Sequence, residues 1–80
     1  MKINKKNLKD YLIKEFKIDR KVLKDNYNLI NNSHLDSLGM INLIFYIEKK
    51  LKKKLKNKIL IKENFKDIET IFKTIQSINN

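Results

Sequence analysis

The sequence is short of the residues that crosslink proteins or bind metal ions. It contains no cysteine and a single histidine, which excludes disulfides, thiolate metal sites and most histidine-based metal sites. It has no proline, so none of its helices is interrupted by one. It has only one glycine. Whatever holds this chain together must therefore come from packing and backbone hydrogen bonds.

Long hydrophobic runs are also absent. No apolar segment approaches the roughly 18–20 residues that span a bilayer. The first six residues include three lysines and lack the apolar core of a signal peptide. We therefore expect a cytoplasmic protein without membrane insertion.

The length of the chain limits its architecture. Eighty residues form a single domain, residues 1–80. A chain of this size buries only about 60–65% of its unfolded surface. Because no crosslink is available, we expect a small, mostly helical core and a monomer.

Positive charge is in excess, but it is concentrated in one segment. The formal net charge is +10, and residues 49–58, the lysine segment, contain seven lysines and no acid. Arginine, which contacts phosphates and base edges through two hydrogen bonds, occurs once, at Arg20. Lysine, asparagine and isoleucine exceed half of the chain, a bias typical of AT-rich codons. We interpret the lysine segment as a solvated face and do not expect nucleic-acid binding.

Apolar residues at helical spacing predict three helices. The first spans about Lys5–Phe16, with Asn4 as its N-cap. The second begins at Asp36 or Ser37 and ends at about Lys52, and the last spans about Glu69–Ile78.

Connections of different lengths separate these helices. Residues 17–35 are predicted as a long connection, with a short helical turn over Asp19–Asp25 and a turn over residues 31–33. Residues 58–62, Lys-Ile-Leu-Ile-Lys, could be extended, but five residues without a partner strand are too few to form a sheet. We interpret them as a buried connector before a short turn over Glu63–Asp67. The predicted fold class is all-α, a three- to four-helix bundle with a long loop between helices one and two.

The second helix carries more apolar residues than one core-facing side requires. One side, the core stripe, consists of Met40, Leu43, Ile44, Ile47 and Leu51. The other, the second stripe, consists of Leu38, Ile41 and Phe45 and is rotated by about 130° from the first. Two interpretations stay open: the first loop covers the second stripe, or the stripe is a docking surface for partner enzymes. Both can hold in part, with Ile41 half covered and Leu38 and Phe45 exposed.

The start of the second helix carries the most informative motif. His34-Leu35-Asp36-Ser37-Leu38-Gly39 places a serine between an aspartate and a leucine, with the only glycine two residues later. Here the chain resembles the acyl and peptidyl carrier protein family, and the similarity continues through Met40-Ile41-Asn42-Leu43-Ile44 and the ending 63–71. It is most similar to free-standing carriers, including D-alanyl carriers and those that accept amino acids.

The resemblance implies a cofactor and a set of partners. Ser37 would receive 4'-phosphopantetheine from coenzyme A, attached by a separate phosphopantetheinyl transferase. The arm would then carry acyl or aminoacyl groups as thioesters, between an acyl- or aminoacyl-activating enzyme and downstream transferases. The fold implied is a helical bundle of the acyl-carrier type, and the chain itself would not be an enzyme.

Several residues of the motif have more than one interpretation. Asp36 is either the N-cap of the second helix or a direct contact to the transferase, and Ser37 is also a candidate N-cap. Gly39 costs about 1 kcal/mol in a helix relative to alanine, which suggests that the arm or a partner approaches closely there. His34 is interpreted as a solvated loop residue, with contact to the phosphate as the alternative.

The chain departs from the family in its charge. Carriers of this family are usually acidic along the second helix, whereas here Asn42 stands where glutamate is common and Glu48 precedes two lysines. We therefore expect partners with acidic or mainly apolar docking surfaces. The alternative function is a small basic helical module that binds nucleic acid or an acidic protein through Lys49 to Lys58. A further alternative is a helix-pairing domain that oligomerises through the second stripe.

Overall fold

The structure, a computed structural model, describes residues 3–79, and the side chains of residues 3–78. It contains three α-helices, which are α1 (Lys5–Phe16), α2 (Ser37–Leu51) and α3 (Ile68–Asn79), and two short 3-10 turns, Asn57–Ile59 and Lys62–Phe65. Within the described residues there is no strand. The all-α prediction is confirmed as a small helical bundle.

Helix α1 has the limits and the cap that its sequence predicts. The Asn4 side-chain oxygen accepts a hydrogen bond from the N–H of Asn7 at 2.7 Å, which satisfies a donor that the helix itself leaves unpaired. The helix ends where Lys17 adopts a left-handed conformation with φ 56°. Leu8 and Leu12 are fully buried and fix this helix to the core.

Helix α3 begins one residue earlier than predicted because an aspartate caps it. The Asp67 carboxylate accepts a hydrogen bond from the N–H of Thr70 at 2.7 Å, so Ile68 is the first helical residue. The helically spaced apolar residues of α3 form its buried side, since Ile68, Ile71 and Ile75 are all fully buried.

The chain between α1 and α2, residues 17–36, closes the side of the core next to the second 3-10 turn. It is built from hydrogen-bonded turns, such as the bond from the Val22 N–H to the Asp19 carbonyl at 2.9 Å, and no helix forms over residues 19–25. Leu23 and Leu29 are fully buried. The N–H of Leu29 donates to the carbonyl of Lys66 at 2.6 Å, which ties this segment to the turn before α3.

The prediction of a buried connector over residues 58–62 is wrong. Ile59 and Leu60 are half-buried, and the Ile61 side chain is 53% exposed. The chain curls here because the side-chain amide of Asn64 donates to the Ile59 carbonyl at 2.8 Å and the Ile61 N–H donates to the same carbonyl at 2.9 Å. These local bonds favour 3-10 turns over an extended segment. The predicted turn after it is confirmed as Lys62–Phe65.

Candidate functional site

Ser37 is the first residue of α2, and its side chain is exposed. The residue before it, Asp36, is the N-cap, and its carboxylate accepts a hydrogen bond from the N–H of Gly39 at 2.7 Å. The Asp36 carbonyl accepts the N–H of Met40 at 2.8 Å. Helix geometry leaves the N–H groups of Ser37 and Leu38 without an acceptor inside the helix, and the helix dipole makes this end partly positive. The serine hydroxyl thus lies where an attached anion is stabilised.

Two anchors hold the chain in place immediately before this serine. Leu35 is buried, and the N–H groups of His34 and Leu35 both donate to the Leu29 carbonyl, at 2.9 and 3.1 Å. Residues 31–33 form the predicted turn, and Ser33 adopts a left-handed conformation with φ 63°. The position of Ser37 is therefore set by the core and not by a free loop.

His34 is not the solvated loop residue that we expected from the sequence. Its side chain is half-buried, and its Nε2 lies 2.8 Å from the Tyr27 hydroxyl. The Phe16 and Tyr27 rings lie next to it, with centroids 6.4 and 5.6 Å from the imidazole. The interpretation failed because these contacts come from α1 and from the middle of the first connection, which the local sequence does not reveal.

Gly39 has a packing explanation within the chain. A Cβ atom at this position would lie 2.7 Å from Cε1 of Phe16 and 3.1 Å from the His34 carbonyl oxygen. The close contact at Gly39 within the chain is therefore made by Phe16, whereas the approach of an arm or partner at this point stays a prediction. Phe16 and Tyr27 are the residues of this region that sequence reasoning missed. The one sequence signal for this contact was the single glycine, Gly39, which lies opposite the last residue of α1.

The two apolar stripes of α2 differ sharply in burial. Leu43 and Ile47 are fully buried, as the core stripe predicts. In contrast, Leu38, Ile41 and Phe45 are 66%, 47% and 60% exposed. The first connection does not cover the second stripe, which leaves three large apolar side chains open to solvent beside Ser37.

Polar groups flank the second stripe on two sides. The side-chain amide of Asn42 donates to the Glu15 carboxylate of α1 at 2.9 Å. Farther along α2, Lys49 lies within about 20° of Leu38 around the helix axis, and its side chain is exposed. Lys49 thus lies beyond the three apolar residues of the second stripe, about 18 Å along the helix from Ser37.

The lysine segment lies at the opposite end of α2 from Ser37. All seven of its lysines are exposed, as expected for a solvated face. The side chains of Lys53, Lys54, Lys56 and Lys58 line an open cleft of about 490 Å³ against the end of α3. The four lysines of the cleft are therefore separated from the serine by the length of α2, about 20 Å.

The described residues contain neither a metal-binding cluster nor a membrane-spanning helix. In residues 3–79, no three histidine, aspartate or glutamate side chains are grouped closely enough to bind a metal ion. No helix in this range is long and apolar enough to cross a membrane. No protein-family model matches the chain, and no curated protein matches it in sequence. The site at the start of α2 must therefore be interpreted from its own residues.

Proposed function

We propose that this chain is a free-standing carrier protein that holds acyl or aminoacyl groups as thioesters on a phosphopantetheine arm attached to Ser37. One observation carries the proposal. An exposed serine is the first residue of α2, directly after its aspartate N-cap, and a solvent-exposed apolar stripe begins at the next residue. In this proposal the bundle is of the acyl-carrier type, and residues 17–36 are its long first loop.

The residues at the start of α2 fit the attachment of a phosphopantetheine group. The Ser37 side chain is exposed, so its hydroxyl is accessible to a transferase. The free N–H groups of the first helical turn and the helix dipole favour a phosphodiester at this position. When bound, the group would supply the terminal thiol for thioester formation, which a chain without cysteine requires.

The chain catalyses nothing itself in this proposal. A serine hydroxyl is a weak nucleophile unless a base takes its proton. The only histidine lies against the Tyr27 hydroxyl, and the Asp36 carboxylate is bonded to the Gly39 N–H. Activation of Ser37 therefore belongs to the phosphopantetheinyl transferase. An acyl- or aminoacyl-activating enzyme would load the arm, and downstream transferases would unload it.

The second stripe is the surface on which these enzymes would dock. Leu38 and Phe45 are exposed far more than the apolar residues of the core, and exposed apolar patches of this kind mark interaction sites. Because Lys49 continues the stripe and Asn42 is neutral, a partner with acidic or apolar groups fits better than a basic one. The carrier would work as a monomer in the cytoplasm, where coenzyme A is available.

The test is the covalent modification of Ser37. The purified chain is incubated with coenzyme A, magnesium and a broad-specificity phosphopantetheinyl transferase, and the intact mass is recorded. We expect the wild type and Ser33→Ala to gain one phosphopantetheine and Ser37→Ala to gain none. Ser33 is a matched control because it is an exposed serine four residues upstream. No gain by a folded wild-type chain with several transferases would contradict the proposal.

A further inference from the structure

The lysine segment carries positive charge that the rest of the described chain does not neutralise. All five ion pairs among residues 3–79 use basic residues outside it, namely Lys5, Lys6, Arg20, Lys66 and Lys73. The nearest acid in the sequence, Glu48, forms no ion pair with these lysines; its carboxylate accepts the N–H of Leu55 at 2.8 Å, inside the segment, so it offsets at most one of the seven positive charges. Seven lysines within ten residues repel one another, so an external polyanion would relieve a cost that the fold leaves in place.

The shape of this region is concave and partly apolar. The cleft of about 490 Å³ is lined both by lysines and by the apolar residues Leu55, Ile59 and Ile78. Three residues beyond Lys58, the Ile61 side chain is 53% exposed, and Lys62 follows it. The charged groups and an exposed aliphatic side chain therefore lie close together in the chain.

The residue types distinguish between possible polyanions. Recognition of nucleic acid favours arginine forks and exposed aromatic rings for stacking. Arg20 is already paired with Asp10 at 2.7 Å, and the described aromatic side chain with the largest exposure, Phe45, belongs to the second stripe. Clustered lysines beside an exposed aliphatic residue are typical of peripheral binding to anionic lipid, where lysines act as point charges and need no fixed geometry.

We propose that the basic end of the molecule, formed by Lys53, Lys54, Lys56 and Lys58, with the exposed Ile61 three residues farther along the chain, binds the surface of a membrane that contains anionic lipid. This surface lies at the end of α2 remote from Ser37. A chain bound in this way keeps the serine and Leu38 directed to solvent. The proposal is independent of the modification of Ser37, and the unmodified chain tests it.

The experiment measures binding of the full chain to vesicles of defined composition. Vesicles of phosphatidylcholine with phosphatidylglycerol are compared with vesicles of phosphatidylcholine alone by co-sedimentation. We expect binding to the anionic vesicles only, and loss of that binding as salt is raised. The triple variant Lys53→Gln, Lys54→Gln and Lys58→Gln should lose on the order of a hundredfold in partitioning, about fivefold for each lysine.

A second triple variant removes the same charge from another part of the surface. Lys14→Gln, Lys21→Gln and Lys24→Gln replace exposed lysines, and we expect partitioning within about threefold of the wild type. Circular dichroism confirms that both variants are folded. Ile61→Ser should weaken binding by a smaller factor than the three lysine changes of the cleft.

Three results would overturn the proposal. The first is binding to neutral vesicles that equals binding to anionic ones. The second is an equal loss in the two triple variants, which would indicate a response to net charge alone. The third is no binding to anionic vesicles. If a single-stranded oligonucleotide then binds and the cleft variant abolishes that binding, the surface belongs to a nucleic-acid site.

Discussion

The two apolar stripes of α2 are built from the same kinds of residue but have different environments. Leu43 of the core stripe is fully buried, whereas Leu38 of the second stripe is 66% exposed, although the two leucines are five residues apart on one helix. The core stripe explains why the helix folds where it does. The second stripe contributes little to that packing, so an explanation for its apolar residues has to come from outside the folded chain. Removing side chains from one stripe at a time separates these two roles.

The largest effect is expected in the core stripe. Leu43→Ala removes a fully buried side chain and should lower the free energy of unfolding by about 2–5 kcal/mol, through lost burial and the cavity that remains. Leu38→Ala should change it by less than about 0.5 kcal/mol. Urea denaturation followed by circular dichroism measures both. Equal losses in the two variants would show that the second stripe is also part of the core.

The reverse pattern is expected for docking. Phe45→Ala should lower kcat/KM of the phosphopantetheinyl transferase by about tenfold, as for a residue at the centre of an interface, with no change in stability. Ile61→Ala is the matched control because this side chain is similarly exposed and lies outside the stripe. A decrease with Ile61→Ala equal to that with Phe45→Ala would remove the evidence for a defined docking surface.

Asp36 allows its capping role to be separated from a contact with the transferase. Asp36→Ala should destabilise the protein by about 1 kcal/mol because the Gly39 N–H loses its acceptor. Asparagine also caps helices, so Asp36→Asn should restore most of that stability. If modification by the transferase stays slow in Asp36→Asn, the carboxylate has a second role in partner binding. If stability and the rate of modification both recover in Asp36→Asn, the carboxylate acts only as a helix cap.

Gly39 tests the contact between α2 and the last residue of α1. Gly39→Ala gains about 1 kcal/mol of helix propensity but places a Cβ 2.7 Å from Phe16. Since overpacking costs about 1–3 kcal/mol, we expect a net loss of stability of about 1 kcal/mol. In a Phe16→Ala background the same change should be neutral or stabilising, and thermal unfolding of the four variants measures the coupling. Independent effects would contradict the assigned contact.

The smallest effect concerns the contact between α1 and α2, where the Tyr11 and Tyr46 rings are stacked with their centroids 4.0 Å apart. Burial, and then the charge of Glu15, raises the pKa of Tyr11 to about 12. The folded state therefore keeps a proton that the unfolded chain loses near pH 10. The contribution of this proton to the free energy of unfolding is complete below pH 10 and is lost as the pH rises to about 12. Tyr11→Phe should reduce this fall in unfolding experiments across that range. An unchanged pH dependence would contradict the shift.

Much of this fold could be predicted from local sequence because the main signals are local. The spacing of Leu8 and Leu12, the cap at Asn4 and the Asp36-Ser37 helix start depend on residues within one or two helical turns. The stripe of Leu38 and Phe45 follows from periodicity alone, although its exposure does not.

The features that sequence reasoning missed depend on distant contacts. The pairing of His34 with Tyr27 and the packing of Phe16 against Gly39 join residues that are 7 and 23 positions apart. The 3-10 turns around Ile59 depend on the side chain of Asn64. Periodicity carries no information about such contacts, so their effects appear only once the chain is folded.

The most direct test of the central claim is to locate the phosphopantetheine group on the modified chain. Fragmentation of the transferase-treated protein by tandem mass spectrometry distinguishes the three serines, Ser33, Ser37 and Ser77. We expect the whole added mass on Ser37, at the start of α2. Modification of Ser33 or Ser77, or of no serine in a folded chain, would contradict it.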